Sequence, residues 1–171
     1  MLRIPVIFIR GKQAFTKEGG ILRLRGKPTD VAKEYAAGGR KLIHIIDKEA
    51  RDTSPNFDVY DSLTTFMNIQ VECKTKPFAL GLIGIKGRVV VRLPSKFPLD
   101  DFSAHERLVV GVISGSYSGS VDGVHDLIIE DADDSSIAKF CKTKKRLIVY
   151  MEDFEKLQAE NKKKIWGALE R

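Results

Sequence analysis

Lys41-Leu-Ile-His-Ile-Ile-Asp47 is the stretch whose reading decides the fold. It is a run of leucine and isoleucine carrying one histidine and closed by an acid. The segment before it, Pro28 to Gly39, has helical spacing, with Val31, Ala32, Tyr35 and Ala36 on one stripe and Gly38-Gly39 as a stop. After it, a polar loop leads into a second helical segment from Asn56 to Met67, carrying Phe57, Val59, Tyr60, Leu63 and Phe66. A strand apolar on both faces, entered from one helix and left into another, reads as a parallel strand of an α/β fold. Ligands in such folds bind at the carboxyl ends of the strands, where Asp47 falls.

Weaker copies of this unit extend in both directions. Leu2 to Ile9 reads as the first strand, and Pro5 inside it needs a position where its missing donor is not required. Gly19 to Gly26 is bounded by glycine, alternates Leu and Arg, and reads as a small hairpin arm. Further strands are expected at Ile69–Cys73, Arg88–Leu93, Arg107–Ile113, Val124–Glu130, Arg146–Met151 and Lys164–Ala168. Helices are expected at Pro77–Ile85, Leu99–His105, Ser135–Cys141 (capped by Asp133 or Asp134) and from about Asp153 to Lys163. Ser114 to Gly123 is too rich in Gly and Ser for a helix.

Eight strands mostly separated by helices close as a parallel (β/α)8 TIM-type barrel. The chain has 171 residues, below the ~200 at the low end for that fold. Several outer helices are therefore expected to be reduced or missing, within one domain spanning 1–171. An open doubly wound sheet is the rival architecture; it suits the short length but has no need of an eighth strand.

The hydrophobic fraction of 43% is ordinary for a globular protein. No apolar run approaches the ~20 residues that span a bilayer, so no membrane partner is expected. Met1 to Ile9 is brief, interrupted by Arg3 and bounded by Arg10, and reads as a strand and not a signal peptide. Cys73 and Cys141 are the only cysteines, too few for a disulfide framework, which points to the reduced cytoplasm. The net charge is +6. Its clusters, Lys142–Arg146 and Lys162–Lys164, lie in or beside helical segments without interleaved aromatics, which argues for solvated helix faces over nucleic acid. No cofactor fingerprint is present: Ser114 to Ser120 fits neither a P-loop nor a dinucleotide site and reads as a connector replacing a helix.

Three blocks carry a family resemblance. Met1-Leu-Arg-Ile-Pro-Val-Ile-Phe-Ile-Arg-Gly-Lys12, Pro28-Thr-Asp-Val-Ala-Lys-Glu-Tyr-Ala-Ala-Gly-Gly39 and Leu42-Ile-His-Ile-Ile-Asp47 resemble the first strand, first helix and second strand of the ProFAR isomerases of histidine biosynthesis. Ile165-Trp-Gly-Ala-Leu-Glu170 is similar to that family's last phosphate-binding turn. The resemblance implies a TIM barrel and an aldose–ketose isomerisation run by two aspartates, ending strands one and five. At those positions this chain has Phe8 and Val112-Ile113-Ser114, which offer no carboxylate for acid–base work. The family's glycine turns for phosphate, after strands three and seven, are here Glu72-Cys73-Lys74-Thr75 and Met151-Glu152-Asp153. Cations such as Lys74 or Lys96 would have to outweigh Glu72 to restore a phosphate site.

One barrel rim collects Asp47, Glu72, Arg92, Glu130, Asp131, Glu152 and Asp153 at strand ends. One reading is a polar pocket for a cationic small molecule or an oxygen-ligated divalent metal. The other is a salt-bridge layer around Arg92. His44 reads as structural; His105 and His125 fall at strand starts, away from this rim. Cys73 has no His nearby in sequence to activate it. Two functions follow: a degenerate isomerase relative that binds a small molecule or a protein, or an enzyme of altered chemistry built on the rim acids. Missing helices would also leave apolar strand surface for a second copy of the chain to bury.

Overall fold

The computed structural model describes residues 1–171. Chain order runs β1 (Leu2–Arg10), β2 (Gln13–Glu18), β3 (Ile21–Gly26), α1 (Pro28–Ala37), β4 (Leu42–Asp47), α2 (Phe57–Thr64), β5 (Asn68–Cys73) and α3 (Lys76–Gly84). It continues with β6 (Arg88–Arg92), a 3-10 segment (Asp100–Leu108), β7 (Val109–Ser114), β8 (Asp126–Glu130), α4 (Asp134–Phe140), β9 (Arg146–Tyr150), α5 (Met151–Lys156), α6 (Ala159–Lys162) and β10 (Ile165–Glu170). Strands β1 and β4 to β10 pair in sequence order, all parallel, and β10 returns to β1. That last pairing closes a (β/α)8 barrel of the TIM type and rules out the open sheet.

β1 changes partner along its length. Leu2 to Pro5 pair with β10, while Phe8 to Arg10 pair antiparallel with β2. Pro5 is the last residue in register with β10, where that ladder ends and a missing donor is tolerated. β2 and β3 form an arm longer than the Gly19–Gly26 hairpin expected, with Gly19-Gly20 as its turn, β3 as its free outer edge and Ile21, Leu22 and Leu24 exposed on it.

Side chains divide into two layers. Ile7, Ile9, Ile43, Ile45, Val71 and their neighbours pack outward against the helices, while Ile4, Val6, Val90, Val110, Ile128 and Ile148 fill the lumen. Paired residues in neighbouring strands face the same side, so the row Val6, His44, Gln70, Arg88 points inward together. So does the row Glu72, Val90, Val110, Asp126, Arg146. That second row starts at the carboxyl end of β5 and finishes at the first residue of β9, the stagger that closing a tilted barrel demands.

The outer shell is thinned as the length requires. No helix lies between β7 and β8; Val124 is buried there, and Tyr117 and Val121 pack on the outer core. The loop thus covers the strand surface that was expected to stand open. The helix expected over Asp153–Lys163 is instead two short ones, α5 and α6, because Leu157 and Gln158 are extended. The break turns Leu157 into the core, and Asp134 holds it by accepting from Gln158 N (3.0 Å) and Asn161 Nδ2 (2.6 Å). Asp133, not Asp134, is therefore the cap of α4, in a reciprocal capping box with Ser136. No helix is long and apolar enough to cross a membrane.

Candidate functional site

The carboxyl-terminal mouth is ringed by the last inward residues of the barrel strands: Phe8, Ile46, Glu72, Arg92, Ser114, Glu130 and Tyr150. Arg92 meets Glu130 in a two-pronged ion pair, both bonds at 2.8 Å. The Glu130 hydrogen bond, helped by the charges of Glu130 and Glu72, raises the Arg92 pKa against the opposing effect of burial. Glu72 Oε1 stands 3.5 Å from Nε2 of buried His44. Burial pushes the Glu72 carboxyl up, but His44, Arg92 and Lys48 together hold it below its ordinary value. Tyr150 moves upward through burial, with the Arg171 guanidinium 3.7 Å over its ring.

Asp47 does not join this ring. It pairs in register with Ile9, an outward residue, so its side chain leaves the barrel toward α2. There it accepts from Ser54 Oγ (2.5 Å), Asn56 Nδ2 (3.1 Å), the Glu49 amide (2.7 Å) and the Tyr60 hydroxyl. Burial raises its pKa, yet these donors outweigh it and the net shift is downward. Burial and the Asp47 charge push the Tyr60 hydroxyl strongly upward. Asp47 is thus the anchor of the loop from Lys48 to Asn56, and that loop receives the arm through Gly11 N to Glu49 (2.7 Å) and Lys12 N to Asn56 (2.8 Å).

The other rim acids also point elsewhere. Glu152 lies on α5, exposed, with Arg171 at 3.8 Å. Asp153 accepts weakly from Ala132 N at 3.4 Å and meets Lys156. Asp131 is exposed on the far side of β8, beside the serines of the β7–β8 loop. No three His, Cys, Asp or Glu side chains are grouped to hold a metal ion, so the metal-cluster reading has no geometry behind it. Cys73 is buried, its thiol pushed up to about 11 by burial and turned to the Thr75 carbonyl at 3.1 Å. That is a protonated, inert thiol and no nucleophile.

Lys74 and Lys96 do come together. With Cys73, Arg92, Ser95 and Phe97 they line a cleft of about 170 Å³ beyond β5 and β6. Arg92 is held by Glu130, whereas neither lysine makes an ion pair.

A polar chain through the lumen was missed from the sequence. Arg88 can only donate, and its Nη1 gives a hydrogen bond to Gln70 Oε1 at 3.0 Å. The Gln70 amide nitrogen therefore faces His44 Nδ1, 3.0 Å away, which must accept. The ring proton consequently sits on Nε2, which is buried without a hydrogen-bond partner, 3.5 Å from Glu72 Oε1. At the other end Arg88 bonds buried Asp126, which also accepts from Arg146 Nε (2.6 Å) and Nη2 (2.8 Å). The chain links the amino-terminal mouth, at Arg146, to the carboxyl-terminal mouth, at Glu72. The signal that could have found it is parity: Gln70, Glu72, Arg88, Arg92, Asp126 and Glu130 sit at even spacings within apolar strands. His105 is exposed, and His125 lies near Asp126 at the amino-terminal end.

No protein-family model matches the chain, and no curated protein matches it.

Proposed function

We propose that the chain is a shortened, diverged relative of the ProFAR isomerases of histidine biosynthesis that has lost isomerase chemistry and binds a small anionic molecule. The observation that carries this reading is the imbalance at the carboxyl-terminal mouth. Glu130 is spent on Arg92, and no acid lines the cleft that Lys74 and Lys96 flank, while Glu72 keeps its charge 3.5 Å from neutral His44. The two positions where the family keeps its aspartates add support. Phe8 packs against the lumen core, and Val112 and Ser114 take the fifth-strand inward positions. Neither phenylalanine nor valine can move a proton, and loss of such groups costs typically ~10²–10⁴ in rate. Free Cys73 and Cys141 suit a reduced, cytoplasmic setting.

Calorimetric titration with inorganic phosphate and small phosphate monoesters tests the reading. Saturable binding, weakened roughly tenfold by Lys96→Ala and again by Lys74→Ala, is expected for loss of charge-assisted contacts. Turnover of the isomerase ribotide by the purified protein, or growth of a histidine auxotroph lacking the isomerase, would refute it.

A second reading, an enzyme of altered chemistry, rests on the His44–Glu72 pair at the mouth. Its weakness is that Glu72 is held ionised, below the range where a carboxyl serves as a neutral-pH acid. Substrate turnover abolished by Glu72→Gln would favour it.

A further inference from the structure

We propose that the amino-terminal mouth of the barrel is a second binding site, for a small amphipathic anion: a carboxylate or phosphate monoester carrying an apolar or aromatic group. The site lies at the opposite end from the Lys74–Lys96 cleft and does not depend on it. A cavity of about 540 Å³ opens there, within the range of small-molecule sites. Its floor is apolar, from Leu2, Leu42 and Trp166, and its wall is cationic, from Lys41, Arg88 and Arg146.

Local backbone geometry builds the aromatic part. The register between β9 and β10 shifts between Ile165 and Gly167. Ile165 packs in the outer core, whereas Trp166, inside the irregularity, is turned to the lumen cluster. The Arg146 guanidinium then stacks 4.0 Å from the indole centroid, which fixes both groups.

The charges do not balance. Asp126 is fully buried and is shared by two arginines, leaving one positive charge uncompensated at the cavity wall. Arg146 spends Nε and Nη2 on Asp126, so Nη1 remains free to donate. Its side chain is 39% exposed, against 10% for Arg88, so it is the arginine a ligand can reach. Lys41 adds a second unpaired cation on the rim, and the Asn68 amide lies beside its carbonyl at 3.2 Å. A purely structural ion pair would need neither an open cavity nor excess charge next to exposed apolar surface. An anion with an apolar body satisfies both at once.

Trp166 is the only tryptophan, so its emission reports on this cavity alone. The titrants are phenyl phosphate and benzoate, with benzyl alcohol as the uncharged control. A saturable change in emission with either anion, and none with the alcohol, is expected. Lys41→Glu, an exposed position that spares folding, should weaken binding roughly tenfold or more, and Arg146→Gln comparably. Lys96→Ala should leave this titration unchanged, which separates it from the cleft at the other end. Absence of saturation with both anions overturns the proposal. Equal binding of benzyl alcohol does so as well, since that is apolar adsorption. Affinity unchanged in Lys41→Glu, with the far-UV circular dichroism of the wild type, places the ligand elsewhere and has the same force.

Discussion

Replacing Asp126 by Asn is predicted to remove a large part of the stability of the barrel. Asp126 is fully buried and accepts from both Arg88 and Arg146. The amide has one acceptor oxygen in place of two and presents donors to a guanidinium that can only donate. Arg146 is half-exposed and can turn to water, so the cost falls on Arg88, whose side chain is 10% exposed. Burial already lowers the Arg88 pKa, and the attraction of Asp126 is the main opposing influence. Removing one partner of such a buried pair typically costs about 3–5 kcal/mol, against a total of roughly 5–15 kcal/mol for a domain. Gln70 gives part of this back, because it still accepts from Arg88 Nη1 at 3.0 Å. The lower end, about 3 kcal/mol, is therefore the expected loss. Urea unfolding at neutral pH, followed by circular dichroism and compared at constant m, measures it. The double variant Arg88→Met/Asp126→Leu should recover most of the loss, since it leaves no buried charge. A cost below about 1 kcal/mol for Asp126→Asn, or a double variant no better than the single one, would refute this account of the lumen chain.

Asp47 should make the fold acid-sensitive. Its folded pKa is depressed below the ordinary 3.8, so its contribution is complete above that value and is lost as pH falls through the folded one. Asp47→Asn should flatten that acid limb in melts between neutral pH and the acid range, and cost about 1.5–3 kcal/mol at neutral pH for the weakened hydrogen bonds; an unchanged acid limb would count against the assignment. Association is expected along β3, a free strand edge on which Ile21, Leu22 and Leu24 are 61%, 49% and 62% exposed. Sedimentation should show a dimer that Leu24→Lys dissociates, and a wild-type monomer at high concentration removes the idea.

The barrel was legible because its parallel strands are unusually plain. Lys41 to Asp47, Arg88 to Leu93 and Val124 to Glu130 are apolar runs closed by polar loops, and a strand buried on both faces has no other reading at that length. Helix boundaries were less secure where tertiary contacts override propensity. Ala159 to Lys163 is good helical sequence, yet burial of Leu157 and the two bonds to Asp134 break the run ahead of it.

The site was less legible, and the cause is the same apolar run that revealed the fold. In an antiparallel sheet, alternation marks the inner face; here both faces are apolar, and the strand alone does not say which residues enter the lumen. Asp47 and Glu72 both end strands, so sequence places them together. Parity separates them: Asp47 stands with outward Ile9, and Glu72 stands with lumen-facing Val90. A polar residue inside an apolar strand is the marker that survives. Gln70 fixes the inward face of β5, pairing carries that face to His44 and Arg88, and Glu72 follows two residues on. The same step along β8 leads from Asp126 to Glu130 and leaves Asp131 outside. Arg92 and Glu130 pair on the carboxyl-terminal rim, while the remaining inward polar groups form a column that enters at Arg146, beside the only tryptophan, and ends at Glu72, so the charges of this barrel reach both ends of the lumen.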